Sequence, residues 1–373
     1  MIPGTNFIPL GTIVGALFRF WESEKTIRDR KETYVKKTIN FKFPCESPHE
    51  GIPLGNGNFG ALIWAAKNVI HLTINRQDYW NHTGKIIWGK NATYERALDL
   101  ILEKPAKDLR PYESDFISFE KEGMSRPTRM PAGRFDLTYS RKIQNGTVIL
   151  ELGYALFNSH IRVFIHPEQD VLYFEDANFK IAPIPNNSPE VSEYRAKYAL
   201  PEPELISHNT IHGWTQNIPG DLSFCAAAIK KDYWIMITTT LAEDQFSAFL
   251  KAQKILEETE DFEGAFKRTK DFHRQYWAKS AKIEISHEPH DLLYSNSLFR
   301  LSGFTRTGKP APTLQGPWVE DDRMPPWQSD YHFNINVQMA HWAMLQSNHP
   351  EQFQPLIKMI KSWFPIMRDY ARK

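Results

Sequence analysis

The sequence predicts a multidomain β + α protein in which an all-β unit of sandwich size precedes a set of helices. Three observations carry this. From about Phe41 to Thr240, short apolar runs alternate with turn residues. Tyr233–Thr240, YWIMITTT, is β-branched and aromatic throughout, as a strand buried on both faces requires. After Thr240 the composition changes to long runs of mixed charge with apolar residues at helical spacing.

Taken in order, Gly55-Asn56-Gly57-Asn58-Phe59-Gly60 reads as a tight turn leading into the apolar run Ala61–Trp64. A phosphate loop would need a following helix and a Lys-Ser/Thr pair, and neither is present. Tyr94–Leu102 reads as a helical excursion. The turn Gln144-Asn145-Gly146 precedes a strand at Val148–Leu152, and His160–His166, the turn Pro167–Asp170 and Val171–Phe174 make a hairpin. Helices are expected over Leu241–Leu256 and Phe262–Lys279, the latter with Phe262 and Phe266, then Phe272 and Tyr276, one turn apart. Two more are expected over Asp291–Gly303 and Asn334–Leu345. Phe353, Leu356, Ile357, Ile360, Trp363 and Phe364 then define a helix with a wide apolar stripe whose partner the sequence does not reveal.

Lys and Arg number 45 against 44 Asp and Glu, which removes the electrostatic case for a nucleic-acid or anionic-membrane partner. Cys45 and Cys225 stand far apart and read as two buried free thiols, with no disulfide framework. Phe7–Phe18 is the longest apolar run, but it is too short to span a bilayer and is broken by Pro9 and Gly11. It lacks the basic flank of a secretory signal, so the compartment stays open. Neither HExxH nor Gly-x-Ser-x-Gly occurs, so no metal site, no cofactor and no serine-hydrolase elbow is expected.

The stretch Ala311–Trp342 concentrates polar groups, prolines and tryptophans. His332, Asn334 and Asn336 alternate with Phe333 and Ile335, and Trp318, Trp327 and Trp342 lie around them. Sugars are bound by this pair of ingredients, aromatic faces for C–H surface and imidazole, amide or carboxylate groups for hydroxyls. Pro325-Pro326-Trp327 is extended and Val337–Leu345 helix-like, which puts the motif at a helix entry. Asn334 then either caps that helix or faces a ligand. A carboxamide is too weakly basic to act as a general base, but two can orient a water while a carboxylate takes its proton. Asp321, Asp322 and Asp330 are close in sequence, each a candidate carboxylate or a loop residue.

At these residues the sequence resembles glycoside hydrolase family 95, the inverting α-L-fucosidases. The resemblance lies in Thr313–Trp318, in Pro325–Met339 and, upstream, in Pro53–Gly57, Gly60–Ile63 and Leu72–Trp80. It implies an N-terminal β-supersandwich over 1–240, a helical linker over 241–283, and the first part of an (α/α)6 barrel over 284–373. It also implies an oligosaccharide or glycan substrate with terminal α-1,2-linked L-fucose, hydrolysed with inversion. By the same resemblance His332 contacts the sugar, with Trp318, Trp327 and Asp330 as further substrate-binding candidates, while Asn334 and Asn336 position the attacking water. The family's acid Glu and base Asp fall beyond Lys373, so a missing catalytic half is the expected partner and the chain alone is expected to be inactive or nearly so. Ala340 and His341 stand where relatives often carry Asn and Tyr. A non-catalytic sugar-binding protein, an α-L-galactosidase and a clan-related phosphorylase are the alternatives.

Overall fold

The computed structural model describes residues 38–83, 87–88, 93–103, 117–118, 127–151, 153–157 and 160–372. The Phe7–Phe18 run therefore lies outside the described residues. Two antiparallel sheets are stacked on one core. The larger runs in the order Thr38–Phe43, Gly146–Glu151, Tyr154–Phe157, Ile161–Ile165, Val171–Phe174, Ile235–Ala242, Ser223–Lys230, Ile211–Gln216, Glu204–His208. The smaller runs Lys180–Pro185, Gly133–Thr138, Val69–Arg76, Phe59–Ala66, Ile52–Gly55. In Gly133–Thr138 burial alternates, so Phe135 and Leu137 enter the core while Arg134 and Asp136 face outward. Phe135 meets Trp214 of the other sheet at 5.1 Å between ring centroids. The β-branched strand expected before Thr240 is present as Ile235–Ala242, buried at every position between two neighbours. The hairpin around Pro167–Asp170 forms as expected, its turn closed by the backbone N–H groups of Glu168 and Gln169 donating to His166 Nδ1 at 3.1 and 3.0 Å.

Helices follow. We number them α1 (Tyr94–Glu103), α2 (Pro189–Lys197), α3 (Gln245–Glu258), α4 (Phe262–Lys279), α5 (Glu288–Phe304), α6 (Asn336–Gln346) and α7 (Gln354–Ala371). The helix expected from Leu241 begins four residues later. Leu241 and Ala242 still pair with Phe224 and Ser223 in the sheet, and Asp244 caps α3 by accepting from Ser247 N at 2.9 Å. α4 keeps its expected limits and is capped by Asp261, which accepts from Gly264 N at 2.8 Å. Its two aromatic pairs divide the work: Phe262 and Phe266 pack edge-on against Phe164 and Tyr154 of the large sheet, while Tyr276 stacks on His349 at 3.8 Å. Arg162 lies over both Phe262 and Phe266, held by Glu175 and Glu263. The free thiols are both present, but only Cys225 is fully buried, Cys45 being half-buried.

The Gly55–Gly60 turn is where α5 docks. Gly55 pairs with Gly60 across the hairpin and Gly57 takes φ +88°, a conformation that favours glycine. Gly57 N donates to Gly303 O at 2.8 Å, and a Cβ on Gly55 would sit 2.8 Å from that same oxygen. Asn56, fully buried, donates to the carbonyls of His166 and Gln169 and thereby locks the two turns together. Arg306, just past the end of α5, is buried over the Phe272 ring and donates to the carbonyls of Ser302 and Pro167 at 2.8 and 2.7 Å. Glycine spacing that reads only as a turn in sequence is a backbone-to-backbone joint in three dimensions.

Candidate functional site

Past Arg306 the chain runs over the sandwich before entering α6. Trp318 Nε1 donates to Leu54 O at 2.8 Å, which commits this indole to the Gly55 joint and not to an open pocket. Asp321 is buried on the outer face of the small sheet, accepting from Thr73 Oγ1 at 2.8 Å and from Arg134 at 2.7 Å. It is a tether between loop and sandwich. Asp322 is exposed and paired with Arg323. Of the three nearby carboxylates only Asp330 stands at the motif, with both oxygens 3.2 Å from His332 Nδ1.

The chain reaches that point through an unusual turn. Trp327, Gln328 and Ser329 all have left-handed backbone, with φ +52°, +55° and +56°. Each such residue bearing a side chain costs about 1–2 kcal/mol, and strain of this kind concentrates at functional sites. The turn carries Trp327 out to 61% exposure, and its ring stacks on His332 with 5.1 Å between centroids and 22° between planes. Below it Tyr331 donates to Ala311 O at 2.8 Å and meets Trp80 of the sandwich and Trp363 of α7. Burial drives the Tyr331 hydroxyl up to about 12, so it stays protonated.

Asn334 and Asn336 follow at the mouth of α6. The helix is entered through Ile335, at φ −148°, with no side-chain cap, so Asn334 does not serve as a cap. Instead His332 O accepts from Val337 N at 3.1 Å and folds the turn onto the second helical residue. Asn334 is exposed and Asn336 half-buried, and neither carboxamide has a hydrogen-bond partner among the described residues. His341, one turn further on, faces inward and donates from Nδ1 to Val337 O, 2.7 Å away, between the rings of Phe304 and Phe353. The motif residues that come together are thus Trp327, Asp330 and His332, with Asn334 and Asn336 free beside them; Trp318 is held apart. A cavity of about 700 Å³ opens between Arg134, Pro185, Ser188, Leu205 and Asp322, and none of the motif residues lines it.

Sequence reasoning missed what lies beneath the turn. Arg129, in the two-residue strand Thr128–Arg129 that pairs with Trp80–Asn81, has no accessible surface. Its guanidinium donates to Thr313 Oγ1 at 2.9 Å, to Gly316 O and to Arg76 O at 3.0 Å. Burial draws it down to about 10, still charged at neutral pH. Thr313 Oγ1 lies 2.7 Å from Ser329 Oγ in the left-handed turn. A lone arginine between weak strand signals carries no periodic pattern that could have marked it.

Residues 290–373 match the catalytic domain of glycosyl hydrolase family 95. The match is confined to the C-terminal segment. Among curated relatives, the Aspergillus niger protein named "Probable alpha-fucosidase A" is 40% identical over 76 residues, which cover 20% of this chain and 10% of that protein. "Alpha-L-fucosidase 2" of Arabidopsis thaliana is 38% identical over 66 residues, 18% of this chain and 8% of that protein. The aligned part thus spans a tenth or less of those relatives' own length. A solved structure from the human microbiome, described as a candidate kojibiose phosphorylase, superposes with a TM-score of 0.41 at 10% identity, covering 76% of this chain and 44% of that one. The matched residues take in α5 from His290 onward, the whole left-handed turn, the His332–Asn336 motif, α6 and α7.

Proposed function

We propose that the chain is the sandwich and sugar-recognition part of a glycoside hydrolase of the α-L-fucosidase kind, acting with inversion on glycans that end in α-1,2-linked L-fucose. The observation that carries the reading is a family 95 segment whose only unpaired polar motif groups stand beside an exposed tryptophan. Trp327 offers a flat face to the C–H side of a pyranose, His332 a hydroxyl partner oriented by Asp330, and Asn334 and Asn336 two amides free to hold a water. Residues 1–240, 241–283 and 284–373 are read as sandwich, helical linker and the first part of an (α/α)6 barrel.

Inversion needs an acid and a base about 6.5–9.5 Å apart across the sugar, with the water between base and anomeric carbon. Asp330 is engaged with His332, and the pair is assigned to helices that would cover the exposed apolar side of α6 and α7. Residues 1–373 alone then bind the sugar without turning it over. The test is a titration of the purified chain with a 2′-fucosylated oligosaccharide, followed by tryptophan fluorescence and by fucose release. Binding weakened at least about tenfold in Trp327→Ala and Asn336→Ala, with no release, is the expected result. Release abolished by Asn336→Ala would overturn the inactivity, and no binding at millimolar sugar would overturn the sugar reading itself.

A further inference from the structure

We propose that Arg129 is the positioning residue of this site: reaching up from the sandwich, it holds Trp327-Gln328-Ser329 in the left-handed turn that presents Trp327 and His332. The sugar reading above supplies only what the turn presents; the clamp stands on geometry alone. Three consecutive residues with side chains occupy a backbone region that L-residues avoid, so something outside the turn must over-determine it. The backbone bonds of the turn itself, Gln328 N to Pro325 O at 3.1 Å and Asp330 N to Trp327 O at 3.2 Å, are local to it. Ser329 is the anchor. Its side chain is fully buried, and its hydroxyl faces Thr313 Oγ1.

Thr313 Oγ1 accepts from Arg129 Nη1 and shares a second hydrogen bond with Ser329 Oγ, in which either hydroxyl can donate, so the arginine reaches the turn through one side chain. The fork's remaining bonds fix Gly316 O in the same loop and Arg76 O at the end of a sandwich strand. One planar group therefore registers the loop, the turn and the small sheet against each other. No carboxylate stands within ion-pair distance of Arg129 among the described residues, so its Nη1 and Nη2 donors are directed to these neutral oxygens, while Nε is buried without a partner. A lysine, with a single charged nitrogen on a flexible stem, could not span the same three acceptors.

Amide hydrogen exchange on the purified chain tests the clamp. Arg129→Lys is expected to speed exchange at Gln328 and Asp330 about tenfold or more while the amides of Ile235–Ala242 stay protected. Ser329→Ala, which removes only the last link, should act in the same direction by roughly threefold. Adding Gln328→Gly to Arg129→Lys should return most of the protection, because glycine occupies the left-handed region without the side-chain cost; a general loss of packing would not be repaired this way. Wild-type exchange at 328 and 330 in a folded Arg129→Lys chain would overturn the proposal, as would failure of Gln328→Gly to restore protection. If Arg129→Lys unfolds the sandwich, Ser329→Ala carries the decision, and unchanged exchange there refutes the clamp. A turn that loosens as expected in a chain whose wild type binds no fucosylated glycan refutes the sugar reading and leaves the clamp standing.

Discussion

Residues 305–329 and the helices that follow, α6 and α7, are adjacent in the chain and opposite in circumstance. The first region lies on the sandwich and commits several buried polar groups to it: Arg306 to carbonyls of the Gly55 joint and the hairpin turn, Trp318 to Leu54, Asp321 to Thr73 and Arg134. The second presents Met339, Trp342 and Leu345 on α6, and Ile357, Phe364, Ile366 and Met367 on α7, to solvent. An apolar surface of this extent on two neighbouring helices is the kind that a further packed element covers. The motif His332–Asn336 sits on the line between the two regions. One side of the site is therefore already rigid in this chain, and the other is open.

The sharpest way to break this contrast is to remove a large side chain from each side. Phe135→Ala, in the interface between the sheets, should cost about 3–5 kcal/mol in urea unfolding, because the surrounding strands cannot collapse into the void. Gly57→Ala comes next. Its φ of +88° penalises any Cβ, and that Cβ would lie 2.8 Å from Arg306 N, so a loss of at least about 1–2 kcal/mol is expected from the backbone term alone. A smaller, pH-dependent effect should appear at the foot of α7. Burial disfavours the Glu351 carboxylate, but hydrogen bonds from His349 and Lys279 outweigh it and hold the group down from 4.5 to about 2. Its folded form is the more acidic, so its stabilisation is complete above about 4.5 and is lost as pH falls toward 2; Glu351→Gln should flatten the acid limb of a thermal-unfolding profile there. Least of all, Phe364→Ala on the open side should change stability by no more than about 0.5 kcal/mol while lowering dye binding to the apolar surface. A cost comparable to that of Phe135→Ala would show that α7 is packed within this chain after all.

Much of this was legible in the sequence because it follows from periodicity. The Phe262/Phe266 and Phe272/Tyr276 spacings placed α4, and the run Tyr233–Thr240, β-branched or aromatic at every position but Met236, placed the buried strand before Thr240. Local chemistry located the motif at a helix entry. Other features depend on partners far away in the chain. Leu241 and Ala242 look helical beside Asp244-Gln245, but the sheet claims them because Phe224 and Ser223 are waiting across the ladder. Trp318 resembles the other tryptophans of its segment until Leu54 O takes its N–H. Asn334 has the composition of a cap, but the turn enters the helix one residue later. Arg129 and the left-handed turn it underlies were invisible, since no rule of spacing connects positions 129, 313 and 329.

At the joint of Gly55 with Gly303 two main chains meet with no side chain between them. Side chains act as compliant spacers, able to change rotamer when neighbouring elements shift; bare backbone has no such play. Any tilt of α5 is therefore delivered to the hairpin undiminished, and the position of the helical half is machined directly onto the β half. The placement of α5 thereby inherits the tolerance of a peptide bond and not that of a packed leucine.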